Sequence, residues 1–355
     1  MDKFGDIKMA KRLKTSIIGI TGYTGLELLR LLQMHPQVDI AYLTSRQHED
    51  TPIGELYPHL THLDLRITNT DHVTVAEDSD VVFLALPHKT AQDIVADMMG
   101  KTKIIDLSAD YRLEDVETYE KHYQVPHNHP DLLGKVIYGL PEINREEIKS
   151  ADVIANPGCF ALLSQLMLHP FAGSIEHTDI MAITGSSGSG KSASDGTHHP
   201  VRNHNLKSYN INAHRHIPEI TRSAGIREDQ LNFVPSSGPF TRGIFATAFV
   251  QLEEGALPSI DGITGVQTAM VIDKVFKAYL DHPFVRLPED VALANVVGSN
   301  FIDLSYQTSE NGTIIIQGAI DNLVKGAAGC AVQNMNLMCG LNETQGLINL
   351  SPVYP

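Results

Sequence analysis

Ser16-Ile17-Ile18-Gly19-Ile20 is a short apolar run that passes at once into Thr21-Gly22-Tyr23-Thr24-Gly25. Leu26 to Leu32 follows, apolar at helical spacing and stopped near His35-Pro36. A buried strand, a glycine turn and an amphipathic helix in that order leave few folds open. The unit is the opening of a dinucleotide-binding βαβ element, in which free N–H groups at the helix start hold a pyrophosphate. Gly19, Gly22 and Gly25 form G-x-x-G-x-x-G rather than the commoner G-x-G-x-x-G. Gly19, Thr21, Gly22, Tyr23, Thr24 and Gly25 are therefore the first candidate cofactor contacts, against the plainer reading of a tight turn.

The next strand, Val38 to Leu43, ends in Thr44-Ser45-Arg46. In NAD-binding enzymes this tip carries an acid for the adenine ribose. A hydroxyl and a guanidinium, Ser45 and Arg46, suit a 2′-phosphate instead, so NADP(H) is the expected cofactor. Asp80 to Pro87 and Lys103 to Leu107 read as buried parallel strands, with a helix over Thr90 to Met99 between them. Pro87 ends the first at the cofactor edge, and Arg112 follows the second in Ser108-Ala109-Asp110-Tyr111-Arg112. Alternating short strands and helices predict a doubly wound α/β sheet of Rossmann type. Arg112 lies where ligands of such sheets bind and suits a phosphate or carboxylate; a salt bridge with Asp110 or Glu114 is the competing reading.

Val153-Ile154-Ala155 breaks at Asn156-Pro157-Gly158 into a helical stretch from Phe160 to Leu168, which puts Cys159 on a helix's first turn. Unpaired N–H groups and the dipole there favour a thiolate nucleophile, although a free cysteine is also a common core residue. Beyond it the texture changes. Ile180 to Ile183 reads as a strand, and Thr184 to Lys191 as a glycine-serine loop able to form an anion nest. His214-Arg215-His216-Ile217-Pro218-Glu219 is a polar cluster at a helix start. Leu231–Leu252 and Val285–Ile320 alternate like strands, with a hairpin turn at Asn311-Gly312. This predicts an α+β domain with a mainly antiparallel sheet. A small-residue helix opening at Asp321 is expected to return to the first domain. The division is 1–157 with 322–355 against 158–321, and 355 residues are ample for two cores.

A formal charge of −15 argues against nucleic-acid or anionic-membrane partners. It also requires that any anionic ligand meet a local cluster of cations. Three cysteines, Cys159, Cys330 and Cys339, have no paired spacing, so neither a disulfide framework nor a metal site is expected. Residues 1–14 read as a short extension without a secretory signal, and the cytoplasm is the expected compartment.

Gly19-Ile-Thr-Gly-Tyr-Thr-Gly25, Ser108-Ala-Asp-Tyr-Arg112, Asn156-Pro-Gly-Cys159, His214-Arg-His-Ile-Pro-Glu219 and Lys325-Gly-Ala-Ala-Gly329 run in order across residues 16–340. In this order they resemble the N-acetyl-gamma-glutamyl-phosphate reductases, members of the wider aspartate-semialdehyde dehydrogenase-like family. Departures are Phe160-Ala161-Leu162 for Tyr-Pro-Thr, Ser189-Gly190-Lys191 for Ala-Gly-Arg, and Cys330 for a glutamine. The resemblance implies NADPH-dependent reduction of an acyl phosphate through a Cys159 thioester, releasing inorganic phosphate and a semialdehyde. It implies His216 as acid/base, with His214 the alternative, and Glu219 orienting the imidazole. Arg112, His214 and Arg215 would bind substrate, and Ser187, Gly188 and Asn322 the nicotinamide end. A homo-oligomer, dimer or tetramer, is expected. The rival readings are aspartate-semialdehyde dehydrogenase, a non-catalytic NADP-binding sensor and, last, a Cys–His hydrolase.

Overall fold

The computed structural model describes residues 12–256 and 264–350. Most of the expected N-terminal extension, residues 1–11, lies outside the described residues. The first sheet is built from β1 (Leu13–Ile18), β2 (Val38–Thr44), β3 (Thr51–Pro52), β4 (Arg66–Thr68), β5 (Val81–Leu84), β6 (Lys103–Asp106), β7 (Ile137–Tyr138) and β8 (Val153–Ala155). Their order is β3-β4-β2-β1-β5-β6-β8-β7, parallel except for β3 against β4. Apolar runs such as Val81–Leu84 are buried throughout, as a sheet covered on both faces demands. The chain leaves β1 for β2 on one side and later returns to β5 on the other. The reversal opens a crevice at the carboxyl ends of β1 and β5, where open α/β sheets take their ligands.

The second sheet contains β9 (Ile175–Thr184), β10 (Lys207–Ser208), β11 (Leu231–Ser237), β12 (Ile244–Leu252), β13 (Val285–Arg286), β14 (Ile302–Thr308) and β15 (Ile314–Ile320), ordered β10-β11-β9-β12-β15-β14-β13. β11 with β9 and β13 with β14 are its parallel pairs; the remaining pairings are antiparallel. The Asn311-Gly312 turn joins β14 to β15 as its sequence requires, with Gly312 at φ 84°. One face of this sheet is covered by the helix Cys159–Leu168, whose Phe160, Leu163, Leu166 and Met167 share a core with Ile180, Ala246, Ile316 and Ile320.

The small-residue segment does return to the first sheet. Val324, Ala328, Ala331, Val332 and Met335 pack with Leu28, Leu32, Ile17 and Phe83. It does not open as a regular helix at Asp321, however. A π-helical turn, Val324–Ala328, precedes the α-helix Gly329–Met338. Beneath it lies a buried ion pair, Lys325 Nζ to Glu142 Oε1 at 2.6 Å, with Gln333 Oε1 accepting from the same ammonium at 2.8 Å. A buried ammonium needs such partners to hold its charge.

Candidate active site

A cavity of about 1220 Å³ runs from the glycine turn to Cys159 and is lined by both sheets' loops. At one end the helix Tyr23–Leu32 starts at Gly22 with no side-chain cap and no acid in its first turn, and Tyr23 and Thr24 of that turn line the cavity. Gly19 has φ 96°, and a Cβ there would stand 2.9 Å from the Ala85 carbonyl carbon, so the tips of β1 and β5 approach too closely for a side chain. Thr21, Gly22, Tyr23 and Thr24 line the cavity with Gly19. Gly25 does not line it: its absent Cβ would lie 2.8 Å from Ile20 Cα, and its role is close packing of helix on turn. These residues fit a dinucleotide's pyrophosphate.

Ser45 and Arg46 line the far end, as expected, together with Asn69, Thr70, Asp71 and His72 after β4. Sequence reading passed over this second tip. Asp71 is the acid in the cavity lining, but its carboxylate caps the helix His72–Glu77 by accepting from Val73 and Thr74 N–H. Pro87 lies mid-cavity, followed by His88, which was also not foreseen. Ser187, Gly188 and Asn322 converge on the other wall, where Asn322 Nδ2 donates to Ser187 Oγ at 3.0 Å. The expected anion nest is absent from this loop. The N–H groups of Gly185, Ser186, Ser187, Gly188 and Gly190 all donate to backbone carbonyls, most of them from the loop at 240–243. Lys191 crosses instead to the first sheet, donating to Thr21 O at 3.3 Å and Tyr57 OH at 3.2 Å.

At the inner end Cys159 opens the helix Cys159–Leu168, after Gly158 as its N-cap. Burial pushes the thiol up to about 11, against the pull of Arg112 and the Phe160 N–H. This corrects the expectation of an easily ionised cysteine: desolvation of a thiolate here outweighs the helix terminus. Gly158 is required by a ring. A Cβ there would lie 2.6 Å from Cε1 and 2.7 Å from Cδ2 of His216, so the imidazole sits directly on the residue before the cysteine. His216 is held well below the usual histidine range by burial and then by His214, Arg112, His88 and Arg215. It is therefore neutral at pH 7.

His214 is placed differently. Its Nδ1 accepts the His216 backbone N–H at 3.2 Å, and its ring packs on Phe160, Phe233 and Tyr209. Burial brings it down to about 4. Both histidines line the cavity with Arg215.

Glu219 departs from expectation. It does not accept from His216, whose Nδ1 has no partner among the described residues. Glu219 lies outside the cavity lining, and its Oε2 accepts from Gly158 N–H at 3.1 Å and Tyr138 OH at 2.7 Å. Its Oε1 faces Arg112 Nη1 at 3.5 Å. Arg112 is thus tied to the protein, donating also to Asn156 O at 2.8 Å and Leu107 O at 3.0 Å. Neither rival partner holds it, since Asp110 accepts from Lys89 and Ala91 N–H and Glu114 pairs with Arg222. What Arg112 offers the cavity is charge rather than a free bidentate fork. Glu219 and Arg112 together fix the turn that carries Cys159, a role no local pattern announces.

Among the described residues no helix is long and apolar enough to cross a membrane. Residues 14–151 match the family described as semialdehyde dehydrogenase, NAD binding domain, and residues 159–322 the semialdehyde dehydrogenase dimerisation domain. N-acetyl-gamma-glutamyl-phosphate reductase of Geobacter sp. (strain M21) is 42% identical over 97% of this chain and 100% of its own length. A putative [LysW]-L-2-aminoadipate/[LysW]-L-glutamate phosphate reductase of Thermococcus kodakarensis is 39% identical over 97% and 99%. Among solved structures, aspartate semialdehyde dehydrogenase with NADP from Candida albicans superposes with a TM-score of 0.67 at 14% identity, covering 93% of this chain and 99% of that one. The nucleotide-binding crevice, the cysteine at a helix start and these full-length similarities agree: the chain belongs to the N-acetyl-gamma-glutamyl-phosphate reductase family, within the semialdehyde dehydrogenases.

Proposed function

We propose that this protein reduces N-acetyl-gamma-glutamyl phosphate to N-acetylglutamate 5-semialdehyde and phosphate, a step of arginine biosynthesis, with NADPH as reductant. The observation that carries this reading is the neutral imidazole of His216 seated on Gly158, the residue before Cys159, in a cavity that both line and that begins at a dinucleotide turn. His216 takes the thiol proton as Sγ attacks the acyl carbon. The C–O bond to phosphate breaks, phosphate leaves with the electron pair, and a thioester remains on Cys159. A reduced nicotinamide in the cavity supplies the hydride that this thioester needs. The resulting thiohemiacetal releases the aldehyde as the S–C bond breaks, and His216 returns the proton to Sγ. Gly19, Thr21, Gly22, Tyr23 and Thr24 would hold the pyrophosphate, Ser45 and Arg46 the 2′-phosphate, and Pro87, Ser187, Gly188 and Asn322 the nicotinamide end. Arg215 and Arg112 provide the positive field that an anionic substrate needs in a chain of net charge −15.

The same reading assigns 1–157 with 322–355 to the cofactor domain and 158–321 to catalysis and assembly. It makes the protein a homo-oligomer, dimer or tetramer. The outer face of the second sheet supports this, with Met181 on β9 and Phe249 on β12 exposed and no helix laid over them among the described residues. Three free thiols suit a reducing, cytoplasmic compartment.

The test is phosphate-dependent NADP reduction with N-acetylglutamate semialdehyde, beside aspartate semialdehyde and a [LysW]-linked semialdehyde, with Cys159→Ser and His216→Ala controls. Activity with the acetylated compound, abolished by Cys159→Ser and reduced about 10²- to 10⁴-fold by His216→Ala, is the expected result. The Thermococcus relative makes the [LysW]-linked compound the second reading. Preference for either alternative substrate reassigns the enzyme, and an inactive wild type that binds NADP makes it a sensor.

A further inference from the structure

Tyr123 ends the helix Val116–Tyr123, stacked on Tyr119 at 4.8 Å between ring centroids. It is 4% exposed and lines the cavity, yet its hydroxyl has no hydrogen-bond partner among the described residues. A buried phenol without a partner is unfavourable, so an unpartnered one in a ligand cavity marks a missing acceptor. Two further donors stand with it. The Arg215 guanidinium lies 6.0 Å from the Tyr123 ring centroid, and no carboxylate pairs with it among the described residues. His88 Nδ1 accepts the Ala109 N–H at 3.0 Å, which leaves the imidazole proton on Nε2 and makes that nitrogen a donor. His88 and Arg215 line the same cavity. The nearby carboxylate, Glu219, is matched by Arg112, so the charge left over in the cluster is positive.

We propose that Tyr123, His88 and Arg215 form an oxyanion subsite that takes the phosphate group of the acyl phosphate and holds inorganic phosphate in the reverse direction. Three donors from three separate segments, with no carboxylate among them, suit an anion that offers several acceptor oxygens. Burial and the flanking cations keep His88 neutral, its pKa down to about 4, so it acts as a neutral donor. The inference rests on the acyl-phosphate reading above and names what receives its leaving group.

Calorimetric titration of inorganic phosphate into the cofactor-saturated protein tests it, with N-acetylglutamate titrated in parallel and KM for phosphate measured beside both. Tyr123→Phe and His88→Ala should each weaken phosphate binding and raise its KM by roughly 10- to 100-fold, one charged hydrogen bond being lost. Cofactor affinity should stay at its wild-type value in both variants, and the unfolding midpoint should stay unchanged in Tyr123→Phe, whose hydroxyl has no partner to lose among the described residues. Unchanged phosphate affinity in both variants, a loss confined to N-acetylglutamate, or a wild type that binds no phosphate overturns the subsite. A wild type that binds phosphate through Tyr123 but turns over no semialdehyde supports the subsite and overturns the proposed reaction.

Discussion

Gly158→Ala isolates the contact on which the catalytic reading depends. Gly158 has φ −71° and ψ 144°, a conformation alanine adopts without strain, so the substitution leaves the backbone as it is. The added methyl has nowhere to go. Its carbon would fall 2.6 Å from His216 Cε1, where ordinary contact starts at 3.4 Å. The imidazole must therefore retreat by about 1 Å, and a displacement of that size between base and nucleophile costs about 10²-fold in rate. Alanine at a helix N-cap in place of glycine costs under about 1 kcal/mol of stability, and crowding the buried ring adds about 1–3 kcal/mol. The expected variant is folded, binds cofactor normally and has kcat reduced about 100-fold with N-acetylglutamate semialdehyde. Steady-state kinetics beside urea unfolding would read both quantities. A Gly158→Ala enzyme with kcat within about threefold of wild type would show that His216 does not act from this position, and the proton-transfer assignment would fall.

Three further outcomes follow from burial. Because the Cys159 thiol is raised to about 11, alkylation by iodoacetamide without ligands should accelerate about tenfold per pH unit from pH 7 upward. A plateau at or below pH 8.5 would contradict it. With Cys330 raised to about 12 as well, both thiols hold their protons longer folded than unfolded. Their stabilising contribution is complete below the ordinary thiol value of 9.0 and is lost as pH rises through about 11 to 12. Lys325→Met strands the Glu142 carboxylate at 0% side-chain exposure and should cost about 3–5 kcal/mol in urea unfolding. Without its cation the carboxyl's folded pKa lies above the unfolded one, so the defect should shrink as pH falls. Adding Glu142→Leu should restore most of the loss; a double variant as unstable as the summed singles would refute the pairing.

Much of the frame was legible in short stretches. The strand–turn–helix at 16–32, the hairpin at Asn311-Gly312 and the helix start expected at Pro218 and observed at Ile217 each depend on backbone hydrogen bonds and apolar spacing within a few residues. Five ordered motifs likewise marked the cysteine, the histidines and the cofactor turn. Failures came where function depends on distant partners. The resemblance implies Glu219 as the orienter of His216, yet it holds Gly158 and Tyr138, 61 and 81 residues away. The Ser186–Ser189 loop has the composition of an anion nest, but carbonyls brought by the 240–243 segment engage its N–H groups.

By itself, the sequence determined the alternation of elements, the place of Cys159 at a helix start and the reaction class carried by its motifs. Those features depend on local dihedrals, periodicity and residue chemistry. Only the tertiary structure decided that the cysteine is a protonated thiol, that His216 rather than His214 rests on the Gly158 turn, and that Tyr123 and His88 share its cavity. The physical reason is that burial and charge are properties of the assembled surroundings. Lys325 and Glu142 stand 183 residues apart and form an ion pair because packing removed the water between them.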